Sequence, residues 1–204
     1  MTPDSFLSLY LNALTALFVI IDPIGAALIF HSLLPAEERQ HRLVMAIKSV
    51  LISGTLLIVF GLYGEALFHQ LGININALRI SGGFLLFFTA FRMITGEIRF
   101  TVHTSKEDIS VYPMSIPLLA GPGSLTLAIL LFSRAANTEG QLAITAAIAS
   151  TLLLTFVLML VARYLKRVIG KTGDEILRRF LGVILAALAV QFVYDGVHNL
   201  WLMA

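Results

Sequence analysis

Two short clusters carry most of the chemistry open to this chain. Asp22-Pro23-Ile24-Gly25 sets a titratable carboxylate beside a residue with no amide hydrogen and another with no side chain, inside the apolar run from Phe6 to Leu34. About a hundred residues later, Gly121-Pro122-Gly123-Ser124 interrupts the run from Val111 to Ser133 in the same way. Proline removes a backbone donor and crowds the preceding turn, while glycine admits unusual dihedrals, so each cluster is expected to break its helix. A broken helix presents N–H groups with partial positive charge on one side and carbonyl oxygens on the other. The N–H end suits a carboxylate; the carbonyls, together with Asp22, suit an ammonium group or a coupling cation. Two interrupted spans at corresponding places in two halves of a chain point to a transporter-type binding site for a small zwitterion.

Other ionisable residues within apolar runs are Arg92 and Asp195. Arg92 either snorkels to an interface or faces the bundle as partner of a carboxylate. Asp195 is either interfacial, with His198 one turn away, or part of a gate. Ser124 reads as a helix-start cap or as a hydrogen-bond donor to substrate. Asp22 and Asp195 together could share a proton and activate water, as in an intramembrane aspartyl protease, but the Gly-x-Gly-Asp such an enzyme needs is missing and Asp195 lies nearer the end of its span. The histidines at 31, 41, 69, 103 and 198 are dispersed, cysteine is absent and no Gly-x-Ser-x-Gly occurs, so neither a metal, a cofactor nor a catalytic nucleophile is expected.

The elements that position these residues follow from composition. A chain of 204 residues that is 58% hydrophobic and 13% charged, with the charges gathered between long apolar stretches, belongs in a bilayer. Six spans can be marked, at about 6–34, 48–68, 79–96, 111–133, 141–162 and 180–203. With six crossings, Arg39, Arg42, Lys48, Arg99, Lys106, Arg163, Lys166, Arg167, Lys171, Arg178 and Arg179 fall on one side, and Arg79 and Arg134 on the other. This asymmetry places both termini outside. The net charge of +2, scattered over short loops, excludes nucleic acid as a partner. No cleavable signal pattern opens the chain, since Asp4 stands where a basic region would be.

A shift of 99 residues pairs Pro23 with Pro122, Leu78-Arg79 with Leu177-Arg178, Gly83 with Gly182, Leu86 with Leu185 and Ala90 with Ala189. One transmembrane domain, 1–204, is therefore expected as two repeats, at about 1–98 and 109–204, joined by the polar linker at about 97–110. Three spans per repeat make the second copy inverted, the arrangement used for alternating access. The fold class is all-α: six transmembrane helices as two inverted three-helix repeats, with helices 1 and 4 broken near the midplane.

Asp22-Pro23-Ile24-Gly25, Leu78-Arg79-Ile80-Ser81-Gly82-Gly83, Ile116-Pro117-Leu118-Leu119-Ala120-Gly121-Pro122-Gly123 and the late Asp195-Gly196, in that order, resemble the MarC family of integral membrane proteins. The resemblance implies a bacterial inner-membrane protein related in arrangement to amino-acid exporters of the LysE type. It also implies kinship with SnatA-like carriers of glycine and alanine, which are cation-coupled. The family's first motif commonly reads Asn-Pro-x-Gly; aspartate at position 22 keeps the shape and adds a titratable group.

The reading is thus a proton- or cation-coupled inner-membrane transporter of small neutral amino acids, and not an enzyme. Its binding residues are Asp22, Pro23, Ile24, Gly25, Gly121, Pro122, Gly123 and Ser124, with Asp22, Arg92 and Asp195 in coupling or gating. A channel or a structural membrane protein is the alternative from another class. Gly123→Val is expected to fill the approach to the second broken helix.

Overall fold

The computed structural model describes residues 6–34, 39–96, 108–135 and 137–203, and these are helical with no strand among them. The helices are α1 (Phe6–Ile21), α2 (Pro23–Leu33), α3 (Arg39–Gln70), α4 (Ile75–Thr95), α5 (Pro122–Arg134), α6 (Thr138–Gly170) and α7 (Glu175–Leu202), with an irregular wide coil over Ser110–Leu119 before α5. α6 and α7 are parted at Gly170, whose φ of 65° and ψ of −178° suit only glycine. Of the linker at 97–110, residues 97–107 lie outside the described ones.

Five helical stretches are long and apolar enough to cross a membrane: α1 with α2, α3, α4, α6 and α7. The coil and α5, bent by 56°, make a sixth if counted as one span. Helices outrun the apolar spans at their ends. α3 begins at Arg39, well before Lys48, because nothing between the two breaks a helix and Arg, Gln, Lys and Met favour one.

The broken first span is the centre of the bundle. Its most apolar stretch is 61% buried, against 22–39% for the other continuous spans, so those four turn much of their surface to lipid. α2 buries Pro23 and every residue from Gly25 to Phe30, and α5 buries Gly123, Ser124, the run from Thr126 to Leu130, and Phe132. Lipid offers no hydrophobic drive between helices, so contact depends on small residues that let backbones approach. A Cβ on Gly61 would stand 2.5 Å from the Phe132 ring, one on Gly64 2.7 Å from Ile129, and one on Gly82 2.2 Å from Thr126. These three glycines seat α5 in the cleft between α3 and α4.

α4 and α7 form an antiparallel pair, with Leu86, Ala90 and Met93 packed on Leu181, Leu185 and Ala189. A Cβ on Gly83 would meet the Ala189 carbonyl at 2.8 Å and Val193 at 2.7 Å. A Cβ on Gly182 would meet the Ala90 carbonyl at 3.2 Å and Ile94 at 2.9 Å. Residues 99 apart thus exchange places across this crossing.

Candidate functional site

The first break is built by Asp22 itself. Its backbone is left-handed, at φ 49° and ψ 69°, a region in which aspartate is one of the few residues tolerated outside glycine. The chain stays helical on both sides: Asp22 N–H donates to Phe18 O at 3.1 Å, and Ala26 N–H donates to Asp22 O at 2.9 Å. Pro23 occupies the first position of α2, where a missing N–H costs nothing. The Asp22 carboxylate then accepts the Gly25 N–H at 2.9 Å, satisfying a donor that the helix start leaves over. A Cβ on Gly25 would lie 2.0 Å from Asp22 Oδ2, so the glycine is there for the carboxylate.

The second break is wound differently. Tyr112 and Ile116 are extended, with φ −123° in both, as residues preceding proline tend to be, and the peptide bonds to Pro113 and Pro117 are cis. The coil is held by wide hydrogen bonds, Met114 N–H to Ile109 O at 3.2 Å and Ala120 N–H to Ser115 O at 2.8 Å. The buried Ser115 hydroxyl adds contacts to Ser110 O at 2.6 Å and to Ser49 O on α3 at 3.1 Å. α5 starts at Pro122 behind Gly121, and no side chain caps it. The Ser124 hydroxyl points back over the break, donating to Leu119 O at 2.8 Å or Gly121 O at 3.1 Å. It therefore caps no N–H group, and Ser124 does not line the cavity described below. Over Gly123 the space is taken by Leu86, 2.3 Å from where a Cβ would be, so valine there would collide with α4 before reaching any substrate path.

Both breaks open on one cavity of about 140 Å³. Asp22 and Gly25 line it from the first break, Pro117 and Pro122 from the second, and Arg92 of α4 and Arg178 of α7 from across. Arg92 is half-buried, its guanidinium 5.8 Å from the centroid of the Phe88 ring. The cavity adjoins a vestibule of about 490 Å³, which shares Ile29, Arg92, Met93 and Arg178 with it and adds Lys166, Glu175 and Arg179. One carboxylate and two guanidiniums thus border a space that widens toward a basic end. A larger cleft, about 710 Å³ between α3 and α6, is lined by aliphatic side chains on the lipid-facing surface and offers no comparable chemistry.

Not every sequence-predicted residue reaches the cavity. Pro23 is buried as a helix starter, Ile24 is half-buried, and Gly121 is there because a Cβ would fall 2.2 Å from the Pro117 carbonyl. Asp195 lies at the opposite end of the bundle. Its Oδ1 accepts from Gln191 at 2.6 Å and its Oδ2 is 3.9 Å from Arg134, while His198 stacks on Tyr194 instead. Asp22 and Asp195 therefore belong to different places, and the paired-acid chemistry has no geometry to support it. Arg178 is the cavity residue that sequence reasoning counted only as a loop charge; its match to Arg79 at the 99-residue shift was the available signal.

Comparison with known proteins agrees with the motif order. Residues 7–201 match the family model described as MarC family integral membrane protein. A UPF0056 membrane protein of Aquifex aeolicus is 31% identical over 97% of this chain and 96% of its own length. The UPF0056 inner membrane protein YhgN of Escherichia coli is 31% identical, covering 94% of this chain and 97% of its own. The UPF0056 membrane protein YvbG of Bacillus subtilis is 29% identical over 95% and 96%. No solved structure gives a significant match. A family match along nearly the whole length, relatives of equal length, and a bundle of apolar helices with a broken first span at its centre lead to one assignment: the chain belongs to the MarC family of integral membrane proteins.

Proposed function

We propose that the protein is a secondary transporter of small zwitterionic solutes, glycine and alanine foremost, working by alternating access between two inverted repeats. The observation that carries this reading is the cavity where both helix breaks, Asp22, Arg92 and Arg178 come together. A zwitterion needs both signs of charge within a few ångströms, and water must be largely excluded for either to be selective. A cavity of about 140 Å³, smaller than the roughly 300–1,000 Å³ of sites for larger ligands, restricts the solute to a small one. The arginines receive the carboxylate; Asp22 receives the ammonium or a coupling proton or cation.

Within this reading the basic vestibule is cytoplasmic, both termini are outside and the state described is open inward. The E. coli relative, named an inner membrane protein, supports a bacterial inner-membrane location. A pore is disfavoured because the cavity ends at packed helices: α5 seated on Gly61, Gly64 and Gly82 closes the other end.

Flux of glycine and alanine in proteoliposomes, with and without an imposed pH gradient, tests the proposal. Saturable uptake that follows the gradient is expected, together with loss of gradient dependence in Asp22→Ala while insertion is intact. Non-saturating flux indifferent to the gradient would identify a channel.

A further inference from the structure

We propose that Arg79 is the anion-binding residue of a second cavity, opening on the face opposite the basic vestibule, and that it takes the same carboxylate there that Arg178 takes in the cavity now open. This rests on the alternating-access reading above.

Arg79 is the least comfortable charge in the molecule. It is only 6% exposed, near the start of α4, and its buried Nε and Nη1 have no hydrogen-bond partner among the described residues. Asp195 is close enough to act on it electrostatically, as is Arg134. Asp195 is already committed to Gln191 and leans toward Arg134. A guanidinium with two buried nitrogens and no acceptor for either is expensive to keep, and in a membrane protein such a group marks a ligand path. The cost is understandable if another state of the protein supplies an acceptor.

The register says which state. Arg79 stands four residues before Gly83, and Arg178 four before Gly182. These two glycines occupy exchanged places in the α4 and α7 crossing, one under the Ala189 carbonyl and one under that of Ala90. The two arginines are therefore equally far from the crossing, at opposite ends. Arg178 lines both the cavity and its vestibule. Arg79 is shut in where α5 closes on Gly82 and Asp195 approaches Arg134. Exchange of the two repeats' conformations opens the Arg79 end and buries Arg178.

The chain has no cysteine, so single thiols can be placed without other changes. In oriented proteoliposomes, Arg178→Cys is expected to react with a membrane-impermeant maleimide from the vestibule face. Arg79→Cys is expected to react from the opposite face, and more slowly in saturating glycine or alanine. Arg79→Gln should raise the ratio of half-saturating concentrations, opposite face over vestibule face, about tenfold, the value of one charge-assisted contact. Arg178→Gln should lower it, and Arg79→Lys should restore most of the wild-type ratio. Arg79→Cys inert from both faces, with the ratio unmoved in Arg79→Gln, overturns the second cavity even when wild-type flux is intact. Labelling of Arg79→Cys from the opposite face without amino-acid flux in the wild type upholds the second cavity and removes the substrate assignment instead.

Discussion

The two breaks share a sequence signature and differ in how their backbone groups are satisfied. At Asp22 a single left-handed residue interrupts an otherwise continuous helix, and its own carboxylate takes the N–H of Gly25. At Gly121 the interruption spreads over the coil from Ser110 to Leu119, and the helix that follows starts without a side-chain cap. The first break is therefore a compact hinge with a titratable group, in which the Asp22 carboxylate takes the Gly25 N–H. The second is a wider structure braced by serine hydroxyls on carbonyls, with Pro117 and Pro122 on the cavity wall. One echo in sequence thus yields a carboxylate on one wall of the cavity and two prolines, Pro117 and Pro122, on the other.

Adding one methyl group at each break separates the two most sharply. Gly121→Ala drives a Cβ to 2.2 Å from a backbone carbonyl, which cannot swing away, and should cost about 3 kcal/mol, the upper range for overpacking. Gly25→Ala meets a side-chain carboxylate that can rotate aside, so its cost should be that of the lost cap, about 1 kcal/mol. Thermal unfolding of the purified protein reads both. In an Asp22→Ala background the Gly25→Ala change should add almost nothing, because the atom it strikes is gone; additive losses would mean that the cap is not what the glycine serves.

Asp22→Asn sharpens the comparison further. The amide oxygen can still accept from Gly25, so stability should stay within about 0.5 kcal/mol of wild type. The titratable group is lost, and with it the dependence of flux on a pH gradient. Retained coupling would move the proton site to another residue.

Much of this was legible before the fold. Long apolar runs, interrupted twice by proline and glycine, specify spans and breaks because a bilayer tolerates no unpaired backbone. Asp22 and Pro122, both in mid-span, line one cavity. What stayed hidden depended on partners from other helices. Gly123 reads as an open approach until Leu86 is placed over it, and Ser124 as a substrate donor until its hydroxyl is found on Leu119 O. Arg178 looks like a topological charge because it stands two residues ahead of the sixth apolar span; only helix α7, which starts before that span, carries it to the cavity. Asp195 lies inside an apolar run as Asp22 does, though nearer its end, and faces Arg134, since a position within a span does not tell which neighbour a helix presents.

The smallest effect belongs to the anchor ahead of the second break. Asp108 accepts from the Ser110 hydroxyl and amide and from Lys48 Nζ, the last at 3.0 Å, tying the start of the coil to α3. The Ser110 hydroxyl and the Lys48 ammonium pull its carboxyl from 3.8 down to about 2. A carboxyl lowered in the folded state contributes its stability above its unfolded pKa and loses it as pH falls through the folded one. The contribution should therefore be whole above about pH 4 and fade toward pH 2. Both side chains are 49% exposed, so solvent screening holds the pair to less than about 1 kcal/mol. Asp108→Asn should lower the unfolding temperature slightly at pH 7 and leave it level with wild type near pH 2. A loss for Asp108→Asn that persists undiminished at pH 2 would show that the contact to Ser110, which an asparagine cannot fully reproduce, matters more than the charge.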